Sequence, residues 1–192
     1  MEKAICNYEK NHPGESETRT KKLLANTLFE ILEKTDFAKI SVNDICIKAG
    51  ISRATFYMYF EDKYDLTKFA FGQMSKKIFE DSPSKNEESI INQSIKTISQ
   101  HKESIRNLIF GNSTDLTDVT ADYFAKYFLM ELQRLEENGY KFKMDIEPIA
   151  VIMSGGIGLI ISWWISNNKV NEEELGKIIL DYYENMIKHY KI

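Results

Sequence analysis

The stretch Ser41 to Lys63, SVNDICIKAGISRATFYMYFEDK, constrains this chain more than any other. Val42, Ile45, Cys46 and Ala49 recur at the spacing of one helical face. Ser41 is placed to cap that helix, and Asp44 follows three residues later, near the positive end of the helix dipole. Gly50 supplies a tight turn that most residues resist. Ile51 plugs the gap, and Ser52 caps a second helix expected from Arg53 to about Tyr59. Two short helices joined by a glycine turn form a helix-turn-helix, the unit that lays its second helix in the major groove of DNA.

The second helix has an unusual outward face. Phe56 and Phe60 lie four apart and can bury together. Arg53, Thr55, Tyr57 and Tyr59 are then left to face outward or to brace the domain edge. Arginine pairs bidentately with guanine, threonine can touch a thymine methyl, and tyrosine hydroxyls reach phosphate oxygens.

Over roughly Thr18 to Phe71 the chain resembles the TetR family of bacterial transcriptional regulators. The resemblance rests on a helix at Thr20 to Lys34, within an amphipathic stretch expected at about Thr18–Thr35, then Ile40-Ser41-Val42, Ile45, Ala49-Gly50-Ile51-Ser52, Thr55-Phe56-Tyr57, Tyr59-Phe60 and Lys63. Cys46 stands where alanine is usual, and Met58 where many members carry histidine. The resemblance implies that Arg53 and Thr55 meet base edges and that Tyr57 meets backbone or base. It implies that Tyr59 and Lys63 hold phosphates, and that Ser41 and Asn43 touch the backbone. Ser52 joins them at the start of the reading helix. The residues alone leave a second reading open, in which Tyr57 and Tyr59 pack on the first helix and Lys63 is an ordinary solvated lysine.

A net charge of -4 looks wrong for a DNA binder until it is mapped. Thr18 to Lys63 holds eight basic and six acidic residues, whereas Met74 onward holds 14 basic and 18 acidic. The acidity thus lies away from the reading unit, and affinity follows the charges set at phosphates rather than the total. Arg19, Lys21 and Lys22 oppose the dipole of the first helix, so a phosphate is one partner for them and solvent the other. Cys6 and Cys46 are too few for a disulfide framework and fit a reducing cytoplasm. His12, His101 and His189 show no metal-ligand spacing, and no glycine-rich phosphate loop or spaced nucleophile appears. The expectation is therefore a protein that is not an enzyme and uses no cofactor or metal.

The pattern is helical throughout, which gives an all-α fold: an N-terminal three-helix DNA-binding domain, then a helical bundle for dimerisation and ligand binding. Residues 1–17 read as a flexible extension without a signal peptide. Residues 18–63 form the helix-turn-helix domain, 64–81 a linking helix, and 82–192 a regulatory and dimerisation domain. The bundle helices are expected at about 88–100, 103–110, 117–138, 146–166 and 172–191. Pro148 to Asn168 carries no charge over 21 residues, enough to cross a bilayer. The preceding DNA-reading unit and Gly155, Gly156 and Gly158 favour a helix buried in protein, with no membrane partner. Ser154, Gly158 and Ser162 make a small-residue ridge, and Ile179, Tyr183 and Met186 belong to a wide apolar stripe on the last helix. Both are expected at a homodimer interface built as a four-helix bundle, in line with the family's usual use of its last two helices.

Phe110, Tyr123, Phe124, Tyr127, Phe128, Met153 and Trp163 either fill a core or line a pocket for a small apolar or aromatic effector. The segment with Trp163-Trp164-Ile165 and Asn167 resembles a C-terminal domain type of Firmicute regulators, activators of dihydroxyacetone-kinase operons among them. The expected function is a dimeric cytoplasmic repressor, released from a palindromic double-stranded DNA operator by an effector. The alternative is a similar DNA-binding protein without a small ligand, acting as an activator or through a protein partner.

Overall fold

The computed structural model describes residues 15–84, 86–110, 114–167 and 169–192, with side chains from 19 to 110 and from 125 onward within those spans. The described chain runs through α1 (Glu15–Leu32), a 3-10 turn (Phe37–Lys39), α2 (Val42–Ala49), α3 (Arg53–Tyr57) and α4 (Lys63–Asp81). It continues through α5 (Glu87–Gln100), α6 (Lys102–Ile109), α7 (Thr114–Glu137), α8 (Ile146–Asn167) and α9 (Glu172–Tyr190). The all-α expectation holds among these residues. The one sheet-like feature is an isolated antiparallel bridge between Phe142 and Lys191. Helix α1 begins at Glu15 rather than Thr18, and α3 ends at Tyr57 rather than Tyr59. Residues 1–14 of the expected extension lie outside the described residues.

The head gathers α1 to α4 about one core. Leu24, Leu28 and Leu32 of α1 meet Phe37, Ile45, Phe56, Phe60 and Leu66. Leu23, next to buried Leu24 on α1, is exposed. Helix α6 ties this head to the body. Its Leu108 belongs to the head core, while its Ile105 belongs to a body cluster with Trp164, Ile165 and Leu175. Ser104 Oγ donates to the Phe29 carbonyl at 3.0 Å, and Asn107 Nδ2 to the Leu32 carbonyl at 2.8 Å. Both acceptors sit in the last turn of α1, where the Phe29 carbonyl also accepts from the Glu33 amide at 3.2 Å.

The body holds a second cluster of Phe128, Leu132, Ile149, Ala150 and Met153, with Tyr183 and Met186 packed against it. Arg134 on α7 pairs with Glu131 and reaches Glu87 of α5, which latches the two helices together. Helices α8 and α9 approach closely at Gly156, where any Cβ would overlap the Tyr182 hydroxyl. Tyr182 Oη uses that space to donate to the Ile152 carbonyl at 3.0 Å.

The residues expected at a dimer interface divide between the subunit's own core and its surface. Ser154 is buried within the subunit at 6% exposure, and Ile179 at 4%. Tyr183 and Met186 also face inward, against the second cluster. Gly158 sits at the edge and Ser162 on the outer side, both half-buried. The reason is helical drift: a four-residue step overshoots a 3.6-residue turn by about 40°. A ridge at that spacing starts in the core and winds outward. The open side of α8 carries Val151, Ile152, Gly155, Leu159 and Trp163. Ile178 of α9 is exposed as well.

Candidate nucleic-acid interface

Local capping builds the reading unit. Ser41 Oγ accepts from the Asp44 amide, and the Asp44 carboxylate accepts from the Ser41 amide at 2.8 Å and the Ser41 hydroxyl at 2.6 Å. This capping box satisfies two amides that the first turn leaves open. Those bonds, the hydroxyl's first, hold the Asp44 carboxyl below its usual range. Gly50 takes the left-handed conformation at φ 68°, and the Ile51 amide reaches back to the Cys46 carbonyl at 3.0 Å. A residue with a Cβ is strained there, which explains glycine at the turn.

Ser52 then starts α3. Its Oγ accepts the Thr55 amide at 3.0 Å and lies 2.9 Å from the Thr55 hydroxyl. Phe56 and Phe60 anchor the inner side, their rings 5.8 Å apart. Arg53, Ala54, Tyr57 and Met58 are exposed on the outer side. Arg53 Nη2 points to Tyr57 Oη at 3.4 Å, and its guanidinium lies 5.8 Å from that ring. Tyr59 is half-buried on the head core, with the Lys21 amine 5.8 Å over its ring. Ser41 and Asn43 are exposed at the start of α2. The structure thus leaves Ser41, Asn43, Ser52, Arg53 and Tyr57 exposed, half-buries Thr55 and gives Tyr59 a bracing position.

Lys63 is placed otherwise than expected. Its ammonium donates to the Phe37 and Ile40 carbonyls, each at 2.8 Å, and lies 4.5 Å over the Phe37 ring. It closes the 3-10 turn instead of standing out toward a phosphate. Burial pushes its amine below the usual range. Asp62, not singled out from sequence, caps α4 by accepting from the Tyr64 and Asp65 amides at 2.8 Å. An aspartate just before a helical run is the signal that could have found it.

Among the described residues, the expected pocket residues do not gather at one site. Phe128, Met153 and Tyr127 meet in the second body cluster, Met153 with no exposure. Phe110 and Trp163 are exposed instead, whereas Trp164 is buried and donates from Nε1 to the Val170 carbonyl at 2.9 Å. The side chains of Tyr123 and Phe124 lie outside the described residues. Two surface depressions have volumes of about 350 and 630 Å³. The first is lined by residues including Pro83, Asn92 and Lys96, the second by residues including Glu136, Phe142 and Lys143. None of the expected pocket residues lines either.

Residues 26–68 match the model of the bacterial regulatory proteins of the tetR family. An HTH-type transcriptional regulator of Mycobacterium tuberculosis is 23% identical over 149 residues, covering 71% of this chain. The chain spans 64% of the length of that relative. A solved dihydroxyacetone kinase operon activator superposes with a TM-score of 0.60 at 18% identity, covering 90% of this chain and 98% of its own. A TetR transcriptional regulator from Streptococcus agalactiae gives 0.60 at 22% identity, over 90% and 95%. A TetR-family regulator from Syntrophomonas wolfei gives 0.63 at 16%, over 88% and 95%. These structural likenesses carry the fold, and the activator's operon stays with that protein. The matched head, with its capped turn and outward-facing reading helix, resembles the DNA-reading domain of the tetR family over residues 26–68.

Proposed function

We propose that the chain is a dimeric DNA-binding repressor that reads a palindromic operator with α3 and is released by a small apolar or aromatic effector. The carrying observation is the rigid presentation of Arg53 and Tyr57, exposed on a helix capped by Ser52 and anchored by buried Phe56. A second copy covers the open apolar side of α8 at Val151, Leu159 and Trp163, together with Ile178 of α9. Two-fold symmetry then offers two α3 helices to successive major grooves. In this reading the apolar α8 is a buried dimer helix of a cytoplasmic protein.

The effector arm needs a physical link between body and head. Helix α6 supports one, since Ser104 and Asn107 hold the last turn of α1 while Ile105 sits in the body cluster. An effector that favours one setting of α6 and α4 shifts the dimer toward a spacing that misses the grooves. A second reading keeps the operator and drops the small ligand, with an activator role or a protein partner. Full burial of Met153 and the packed state of Phe128 favour it.

The test is selection from a pool of random duplex DNA near physiological salt. A palindrome with half-sites about one helical turn apart supports the dimeric reader. No motif from folded protein, with effector candidates present or absent, removes it. Arg53→Ala should weaken the recovered operator roughly ten- to hundredfold and relax one position, as a competition titration would show.

A further inference from the structure

We infer that α3 reads thymine methyl groups beside a single guanine, so that each half-site is specified largely by apolar contact. This rests on the DNA-reading role proposed above.

The argument is an inventory of what α3 has left to offer. Direct readout of adenine takes an asparagine or glutamine, and readout of cytosine takes an acceptor such as a carboxylate. The exposed side chains of α3 and its C-cap are Arg53, Ala54, Tyr57 and Met58, with no amide or carboxylate among them, and the one hydroxyl there, Tyr57 Oη, accepts from Arg53 Nη2 at 3.4 Å. Thr55 has a hydroxyl, but it lies 2.9 Å from Ser52 Oγ, and that oxygen also accepts the Thr55 amide. One of the two hydroxyls donates to the other. Drawing Ser52 Oγ to a base breaks the cap that starts the helix, and drawing the Thr55 hydroxyl away forfeits its bond to Ser52. What Thr55 can offer without that loss is its methyl group.

Ala54 offers a methyl, and Met58, 77% exposed at the end of the helix, offers a flexible thioether chain. A methionine adapts to an apolar contact and makes no directed one. Arg53 is the one cation on this surface. Its guanidinium has five donors and no acceptor, which matches the two acceptors of guanine. Tyr57 stands one turn on and within reach of it, so it acts as a positioning residue for Arg53. The thymine C5 methyl is the one base-edge group in the major groove that an apolar side chain can read. An α3 with one fork of donors and three apolar groups therefore fits guanine and thymine.

The experiment takes the operator recovered by selection and replaces each thymine of a half-site singly with uracil, which deletes only the methyl. Titrations use the full-length protein. At two or more positions the swap should weaken binding about fourfold, the worth of one buried methyl group. Thr55→Ser keeps the hydroxyl bond to Ser52 and deletes the methyl. It should abolish the uracil penalty at one position, whereas Thr55→Val should retain it. Met58→Ala should remove the penalty at a different position. A role in folding alone would not move these position-specific ratios, and the uracil series on the unaltered protein stands even where a variant misfolds. Recovery of a palindrome whose thymine-to-uracil swaps are all neutral overturns the inference and leaves the DNA-reading role intact. Failure to recover any motif removes both.

Discussion

In the head, Leu24, Phe37, Ile45, Phe56 and Leu66 come from five successive elements and meet in one core, whereas the body divides its apolar residues between two clusters that share only Ile157 among the described residues. The contrast extends to the surface. The outer side of α3 is small and flanked by polar caps, but α8 leaves Val151, Ile152, Leu159 and Trp163 open to solvent in a single chain. A head with one core, completed by Leu108 of α6, holds α3 by packing within the subunit. A body with a split core and an open apolar side calls for another surface to complete it. The difference separates a part whose packing is continuous from a part whose packing is divided.

Loss of the head's central anchor should have the largest effect. Phe56 is fully buried between the two helices of the reading unit. Phe56→Ala should cost about 3–5 kcal/mol through lost burial and the cavity left behind. Urea unfolding followed by head and body probes would show the head melting first. Simultaneous loss of both at unchanged cooperativity would break the two-core comparison.

Leu159→Glu tests the open side of the body. Leu159 is 74% exposed in one chain, so the change should leave the folded subunit intact. At the proposed interface it should cost about 2–4 kcal/mol of association, as a central anchor does. Sedimentation should then show a monomer with unaltered circular dichroism. An unchanged dimer would move the interface elsewhere, and a monomeric parent protein would remove it.

These two regions also differ in how far the sequence reveals them. The caps Ser41, Ser52 and the turn at Gly50 are legible because their partners lie within five residues. The spacing of Phe56 and Phe60 made the outward placement of Arg53 and Tyr57 legible as well. Lys63 was misread because its acceptors, Phe37 and Ile40, lie 26 and 23 residues upstream and meet it only in the folded head. In the body the limit is different. Helix α8 is apolar on nearly every side, so periodicity cannot say which side faces inward. The four-residue ridge looked like a face and is a spiral. The same ambiguity scattered the aromatic residues: Trp164 is buried and its neighbour Trp163 is not.

Lys63→Met sharpens the account of the head. The change removes the donors to the Phe37 and Ile40 carbonyls and keeps a stem of similar length. It should cost about 1–3 kcal/mol of stability, the scale for charged hydrogen bonds. The slope of operator affinity against salt should stay unchanged. A slope reduced by about one unit, with stability intact, would return Lys63 to the phosphate role.

The smallest effect is a pH dependence in the capping box. Asp44 has its carboxyl held below its ordinary value of 3.8 by the Ser41 hydroxyl and then the Ser41 amide. A carboxyl with a depressed folded value contributes stability above 3.8, and that contribution is lost as pH falls through the lower folded value. Asp44→Asn keeps an acceptor oxygen but no charge. Its stability deficit relative to the parent should therefore be present at neutral pH and shrink as the pH drops below 3.8. Melting curves of the pair at neutral and acid pH measure this directly. A deficit that stays constant across that range would mean that the box works by geometry alone, with the Asp44 charge contributing nothing to the rigidity that sets the head apart from the body.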